Sequence, residues 1–504
     1  HIYPAILYSS VESEGQNVRL AAPYKQLEKE ILNTRNLIVA TEHKLYTGST
    51  DAVQQIFDKL FYTKNYWQVP DFFINKLNDI KKVLDKATKR ENLYFCRYIV
   101  FISRELYLQK AGDEGYNNAI STAALWNTTF EERKESLDLI DKLAIEEIDT
   151  DGRDMKITFS RENSSDCVNF REGEICILYP RQNENDTLLT NQILKGNIVE
   201  ISSERVILQF RYKQRNLSFF NHYKYWVVEH DKLDHSYNSM FKSLFAFMMA
   251  NKDKKDLLMG MRRPETSLSV EDNEITDTKQ KQEHVIRKAL SAEDYFLIVG
   301  PPGTGKTSIF ARRLIEEIHK NADAQILVIA YTNKAVDELC EAICSAFCSD
   351  SNSCDGYIRI GTELSCGEPY RRRLLQNISQ EVNSRKELLD ILNTQRIFIG
   401  TLASIVGKPE ILGIKKFNVA IIDEASQILE PQIIGLLPLI DKFIMIGDHK
   451  QLATITLQNE DKSKVTEQEL NDIGLYDCRE SLFERLFRIC QENGWKHAYD
   501  ILTY

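Results

Sequence analysis

From residue 282 to the end of the chain, short apolar runs alternate with stretches of helical periodicity. The runs cover residues 296–299, 325–330, 397–400, 419–422 and 443–446. Each is short, bounded by turn-forming or polar residues, and followed by apolar positions three or four apart. This alternation predicts a parallel sheet covered on both faces by helices, with ligands at the carboxyl ends of the strands. The upstream pattern differs. Over residues 21–129 apolar positions recur mostly at helical spacing, most clearly over 24–44, 72–84 and 93–108, with Pro70-Asp71 as a helix start and Gly112-Asp-Glu-Gly115 as a break. Residues 130–148 read as a further helix, charged on one face. Residues 155–159, 174–179, 192–201 and 206–212 are then short and rich in β-branched and aromatic side chains, separated by turns such as Arg171-Glu-Gly173 and Asn183-Glu-Asn-Asp186. With 223–228 to close it, this set predicts a small antiparallel barrel over 152–231. Residues 235–249 return to helix, so the barrel is expected between two stalk helices, 130–151 and 232–263. Residues 264–281 are polar and acidic and read as a linker.

Length and composition bound this picture. A chain of 504 residues is too long for one core and predicts about two to four domains. Its 43% hydrophobic and 27% charged residues are those of an ordinary globular protein, and no apolar run approaches the ~20 residues of a membrane span. The chain opens on His1-Ile-Tyr-Pro4 without an initiator methionine, and reads as a piece of a longer protein. A net charge of −10 excludes a generally basic coat for nucleic acid, and leaves room for a local basic groove. Ten scattered cysteines lack the density of a secreted disulfide scaffold and point to the reducing cytoplasm.

Candidate chemistry clusters in the C-terminal half. Gly300-Pro-Pro-Gly-Thr-Gly-Lys-Thr307 fills the spacing G-x-x-x-x-G-K-[ST] between an apolar run and a helical one. Glycines allow a tight turn that aims backbone N–H groups at an anion, at the start of a helix that already favours negative charge. Gly300, Pro302, Gly303, Thr304, Gly305, Lys306, Thr307 and Ser308 are therefore assigned to a nucleoside triphosphate. Lys306 reaches the outer phosphates and Thr307 holds Mg2+. The apolar run 419–422 ends in Asp423-Glu424. Asp423 is placed to hold Mg2+ and Glu424 to orient and deprotonate the attacking water. A further apolar run leads through Gly447-Asp-His-Lys-Gln451, where Gln451 is placed to contact a γ-phosphate.

This order and spacing resemble the superfamily 1 helicases, in the branch that holds the nonsense-decay RNA helicase and the replication nuclease-helicase. The resemblance covers 282–504 and implies a RecA-like motor lobe using ATP and Mg2+, with a helical insertion at about 366–394. Gln282 stands where the branch keeps an adenine-reading glutamine. Ala330-Tyr-Thr-Asn-Lys-Ala-Val-Asp337, Tyr357-Ile-Arg-Ile-Gly361 and Gly400-Thr-Leu-Ala403 resemble its strand-contacting motifs, which assigns Thr332, Asn333, Arg359 and Thr401 to a nucleic-acid backbone. A surface ion pair is the plainer reading of Arg359. Arg371-Arg-Arg373, in the insertion, fits either a phosphate contact or a solvated helix face. Where the family usually has two prolines, Ala453-Thr454 stand instead. Tyr225-Trp-Val-Val-Glu229 and Glu293-Asp-Tyr-Phe-Leu-Ile-Val-Gly300 resemble the DNA enzyme more than the RNA one.

Within residues 1–20, Pro4-Ala-Ile-Leu-Tyr8, with Thr34-Arg-Asn-Leu-Ile38 after it, resembles the trailing edge of a nuclease domain. The iron–sulfur cluster associated with such nucleases is not expected, since only Cys96 falls in the corresponding stretch and one cysteine cannot hold a four-ligand cluster. Cys340, Cys344 and Cys348 recur every fourth residue. With Cys354 and Cys366 they form either a zinc site or, better fitting a spacing without C-x-x-C, a stripe of buried thiols. The resemblance implies a 5′-to-3′ DNA helicase acting on single strands, with no membrane role. The alternatives are an RNA helicase and an ATP-gated clamp. The family's second lobe supplies arginines to the transition state and is expected after Tyr504, so residues 1–504 alone are expected to hydrolyse ATP at near-background rates.

Overall fold

The computed structural model describes residues 79–111, 130–150, 154–162, 170–186, 191–210, 217–230, 236–267, 278–301, 310–347, 356–448 and 454–502, with 136, 138, 171 and 185 left out. They divide into two units, one built on residues 103–235 and the other on residues 79–102 and 236–502. The expected helix over 24–44 and the nuclease-like stretch of residues 1–20 lie outside the described residues, as do Cys348 and Cys354.

In the first unit six strands close into an antiparallel barrel: β1 (Leu139–Asp149), β2 (Met155–Arg161), β3 (Ile175–Pro180), β4 (Leu194–Ile201), β5 (Arg205–Phe210) and β6 (Trp226–His230), in the order β1-β2-β5-β4-β3-β6. Alternation along β2 and β5 sends Met155, Ile157, Phe159, Val206, Leu208 and Phe210 into one core with Trp226. Gly196 lets β4 pass close to β5, since a Cβ there would stand 3.2 Å from the Phe210 ring. Glu229 is buried and paired, with Arg133 at 3.4 Å and the Tyr179 hydroxyl donating to it.

The barrel corrects one expectation. The helix expected over 130–148, and with it the first stalk helix 130–151, is a short helix Phe130–Glu135 followed by β1, so the barrel starts at residue 139 rather than 152. The cause lies in two register shifts. Against β6 the pairing slips between Ile140 and Leu143, where Lys142 has a left-handed φ of 55°; against β2 it slips between Ile145 and Glu147. Each bulge resets the period of two, so the buried residues Leu139, Ile140 and Leu143, the last two in the barrel core, acquire the spacing of a helix face.

In the second unit β7 (Tyr295–Val299), β8 (Ile326–Ala330), β9 (Ile358–Ile360), β10 (Ile397–Thr401), β11 (Val419–Ile422), β12 (Lys442–Gly447) and β13 (Tyr499–Ile501) form one parallel sheet, ordered β13-β7-β12-β11-β8-β10-β9. Every residue of β7, β8 and β10 is buried, as strands covered on both faces require. Each fully buried Ile, Leu or Phe contributes about 1.5–3 kcal/mol relative to exposure. β9 and β13 were not anticipated as strands; at three residues each they are too short to show a period.

The helices Thr278–Ser291, Arg312–His319 and Asn333–Phe347 follow the expected alternation. The insertion folds as Leu375–Glu381 and Arg385–Thr394. The linker is shorter than 264–281. Ser267 N–H donates to the Ser291 carbonyl at 2.8 Å, Glu265 N–H donates to Asp294 at 2.8 Å, and helix resumes at Thr278. The expected helix over 93–108 is the helix Lys89–Ala111, and that over 235–249 is Ser236–Met249. The latter packs tightly on the lobe: a Cβ on Gly435 would stand 2.2 Å from the Ser243 carbonyl oxygen. Among the described residues no helix is long and apolar enough to cross a membrane.

Candidate nucleotide and nucleic-acid site

The sheet order brings the candidate residues to one edge. β7 enters the phosphate loop, β12 lies beside it, and β11 follows. Gly300 N–H donates to the Gly447 carbonyl at 2.9 Å, which ties the mouth of the loop to the end of β12. Pro302 through Ser308 and Gln451 lie outside the described residues. Asp423, 2% exposed, follows β11; its N–H donates to the Ile329 carbonyl at 2.8 Å, and its carboxylate accepts from Glu424 N–H at 2.9 Å.

Glu424 is half-buried and has φ 54° and ψ 33°. A left-handed backbone in a side-chain-bearing residue costs about 1–2 kcal/mol. Gln427 N–H, donating to the Glu424 carbonyl at 2.9 Å, helps hold it. Burial pushes the Glu424 carboxyl above its ordinary range and the Asp423 charge pushes it the same way, while a hydrogen bond from Thr332 pulls it back. The two carboxylates are thus desolvated side by side at a strand end, a donor set suited to a divalent cation.

Gln282 sits half-buried in the helix Thr278–Ser291. Its neighbour Lys281 and, two turns on, Lys288 both reach Asp500, at 2.5 and 3.2 Å. Asp500 lies in β13, so the last strand of the sheet fixes the helix that carries Gln282. Sequence reading gave Asp500 no role, and the only local signal was a carboxylate beside two apolar residues.

The four candidate backbone contacts share the other half of the edge, and two of them, Thr332 and Asn333, are exposed, whereas Thr401 and Arg359 are buried. Thr332 and Asn333 are exposed after β8. Thr332 Oγ1 accepts from Ala335 N–H at 3.1 Å, capping the helix Asn333–Phe347, and donates to Glu424 Oε2 at 3.4 Å. Thr401 ends β10 and caps the helix Leu402–Val406 by accepting from Ser404 N–H at 3.2 Å. Gly400 must be glycine, since a Cβ would stand 2.7 Å from the Ile360 carbonyl oxygen.

Arg359 departs from both of its expected roles. It is 1% exposed, paired with Asp337, and donates to the Ser365 carbonyl at 3.2 Å and to Cys340 Sγ at 3.5 Å. A guanidinium so buried and occupied does not meet a phosphate or stand as a surface pair; it pins β9 to the helix Asn333–Phe347. Two of the arginines that follow also serve this corner. Arg373 donates to the Tyr357 carbonyl at 2.8 Å and Arg371 to the Cys366 carbonyl at 3.2 Å. Cys340, Cys344 and Cys366 are buried, and burial pushes the Cys340 thiol up to about 12 and that of Cys366 to about 11. Cys340 and Cys344 lie on the buried face of the helix Asn333–Phe347, as their helical spacing predicts, and Cys348 and Cys354, which the zinc alternative also draws on, lie outside the described residues.

Sequence reading also missed a buried clasp below Glu424. Arg485 and Glu430, both 0% exposed, form a bidentate pair at 2.8 and 2.6 Å. Arg485 further donates to the carbonyls of Leu258 at 2.8 Å and Ile473 at 3.1 Å, and the Tyr94 hydroxyl donates to Glu430. One ion pair therefore joins the helices Lys89–Ala111, Lys252–Leu258 and Leu482–Glu492 to the segment six residues after Glu424.

The family model described as an AAA domain matches residues 277–368 and 367–459, the span that holds this edge. The DNA replication ATP-dependent helicase/nuclease DNA2 of Bos taurus is 27% identical over 382 residues, covering 72% of this chain and 33% of that protein. The chicken protein of the same name is 24% identical over 416 residues, 78% of this chain and 38% of its own length. Over this span the chain is similar to the replication helicase/nucleases. The baker's yeast member is 33% identical over 177 residues, 35% of this chain and 11% of its own. The chain thus spans roughly a third of the length of its cattle and chicken relatives. Among solved structures, the UvsW helicase from bacteriophage T4 aligns with a TM-score of 0.25 and 14% identity, over 45% of this chain and 65% of that one; at that score it carries no argument.

Proposed function

We propose that the full-length protein is an ATP-driven DNA helicase that moves 5′-to-3′ along a single strand, and that this chain holds its first motor lobe. The observation that carries the reading is the Asp423-Glu424 pair at the end of β11, Asp423 buried and Glu424 half-buried, set one strand away from the tie between Gly300 and Gly447. In this reading the backbone N–H groups of Gly303 to Lys306 grip phosphates and Gln282 reads adenine. Thr307 and Asp423 hold Mg2+, which neutralises phosphate charge when bound. Glu424 orients the attacking water and takes its proton, and Gln451 contacts the γ-phosphate. Thr332, Asn333 and Thr401 bind the strand's phosphates, whereas Arg359 supports them from beneath. The names of the relatives support DNA as the track, and the short span relative to them supports a second RecA-like lobe and a nuclease domain in the same full-length protein.

Lys306→Ala tests the nucleotide half. It removes the cation assigned to the outer phosphates, so calorimetric ATP affinity should fall by at least about tenfold, the worth of one charge-assisted hydrogen bond. Equal affinity would remove the loop from its role. The nucleic-acid half is tested by excising the barrel, residues 139–230. Single-strand affinity should fall steeply and its salt dependence should flatten, since fewer phosphates are neutralised, while ATP affinity holds. An undiminished single-strand affinity would reassign the barrel to protein contacts. Tighter binding of RNA than DNA by the intact protein would move the track to RNA.

A further inference from the structure

The order β13-β7-β12-β11-β8-β10-β9 divides the lobe's working edge into two halves. The candidate nucleotide residues follow β7, β11 and β12; the candidates for a strand are the exposed Thr332 and Asn333 after β8 and the buried Thr401 at the end of β10. The halves meet where β11 pairs with β8, and there Thr332 Oγ1 donates to Glu424 Oε2 at 3.4 Å. The oxygen of that hydroxyl is already engaged, accepting Ala335 N–H at 3.1 Å as a helix cap. This fixes its position and leaves a single proton to give. The proton goes either to Glu424 or to a phosphate oxygen brought to the exposed side of Thr332; it does not serve both.

We propose that Thr332 is a positioning residue that tethers the Glu424 side chain in a resting orientation, and that a bound single strand releases it by taking the hydroxyl proton for its own phosphate. Strand binding is thereby coupled to hydrolysis through the Thr332 hydroxyl, which gives the larger of the two hydrogen bonds that Thr332 makes to the carboxylate. The inference rests on the reading of Glu424 as general base and of Thr332 as a strand contact. The backbone of Glu424 is held on both sides, by Asp423 at 2.9 Å and by Gln427 at 2.9 Å, so release needs only a side-chain rotation.

The test uses the full-length protein, measuring ATP turnover with and without single-stranded oligothymidylate. Thr332→Gly removes the donor, and glycine caps a helix about as well as threonine. Strand-free turnover should rise by about three- to tenfold, the worth of one long hydrogen bond to a carboxylate. The KM for ATP and the strand-saturated rate should stay put, so the stimulation ratio drops by the same factor. Thr332→Ser, which keeps the hydroxyl, should restore the parental ratio. Adding Glu424→Gln to Thr332→Gly should erase the gain. An unchanged stimulation ratio in Thr332→Gly, or a gain that survives Glu424→Gln, overturns the tether. If Thr332→Gly does not fold, Thr332→Asp, which caps the helix but donates no proton, replaces it with the same expected rise in strand-free turnover, and an absent rise overturns the tether equally. Normal turnover by Glu424→Gln alone would instead overturn the underlying assignment of the base, a result that the Thr332 variants do not produce.

Discussion

Glu424→Gln should lower the strand-stimulated ATP turnover of the full-length protein by about 10²- to 10⁴-fold, the usual contribution of a general base, while ATP still binds. The amide has the shape of the carboxylate, so it disturbs neither the left-handed backbone at φ 54° nor the hydrogen bond that Thr332 Oγ1 gives. What it loses is the capacity to take a proton from water. Phosphate release under saturating ATP reads the rate, and calorimetry reads binding. Turnover within about threefold of the parent would leave Glu424 as a structural residue. A loss of both turnover and binding would mean that the residue organises the pocket instead of acting in it.

What the sequence made legible about this site follows the range of the interactions involved. Gly300 to Thr307, Asp423-Glu424 and the apolar runs before them are contiguous, and contiguous residues carry their local geometry in their own spacing. The parallel sheet was readable for the same reason, because β7, β8 and β10 are unbroken apolar runs. Arg359 was misplaced because its partner Asp337 lies 22 residues away, and no local pattern tells a buried guanidinium from an exposed one. β1 was taken for helix because two bulges imitate a helical period, and a bulge is a property of the pairing with β2 and β6, not of the strand itself. The Glu430–Arg485 clasp spans 55 residues of sequence and gave no sign at either end.

That clasp carries the second large effect. Arg485→Met should destabilise the second unit by about 3–5 kcal/mol, because it strands the Glu430 carboxylate in a fully buried site. Its remaining donor, the Tyr94 hydroxyl, is held far from ionising by burial and by Glu430 itself. Urea unfolding followed by the loss of tertiary signal reads the change as a fall in midpoint. The double variant Glu430→Leu with Arg485→Met should recover most of the loss, since replacing both members of a buried pair by apolar side chains is often neutral or better. Recovery is expected to be incomplete, because the carbonyls of Leu258 and Ile473 lose the donor they had in Arg485. A single variant that unfolded at the parental midpoint would show the pair to be a bystander. Phe483 lies in the same helix as Arg485, and a Cβ on Gly447 would stand 3.1 Å from its ring, so loosening the clasp should also be felt at the end of β12.

The closure of the barrel has a consequence of another kind. A ring of six paired strands spends its ladder hydrogen bonds on itself and leaves no row of open N–H and C=O groups. Such a body cannot lengthen its sheet by borrowing a strand from another chain, nor seed the edge-to-edge stacking that open sheets risk when proteins crowd. Whatever it grips must be gripped by side chains and connecting turns, which can change their chemistry from one relative to the next while the ring beneath stays shut.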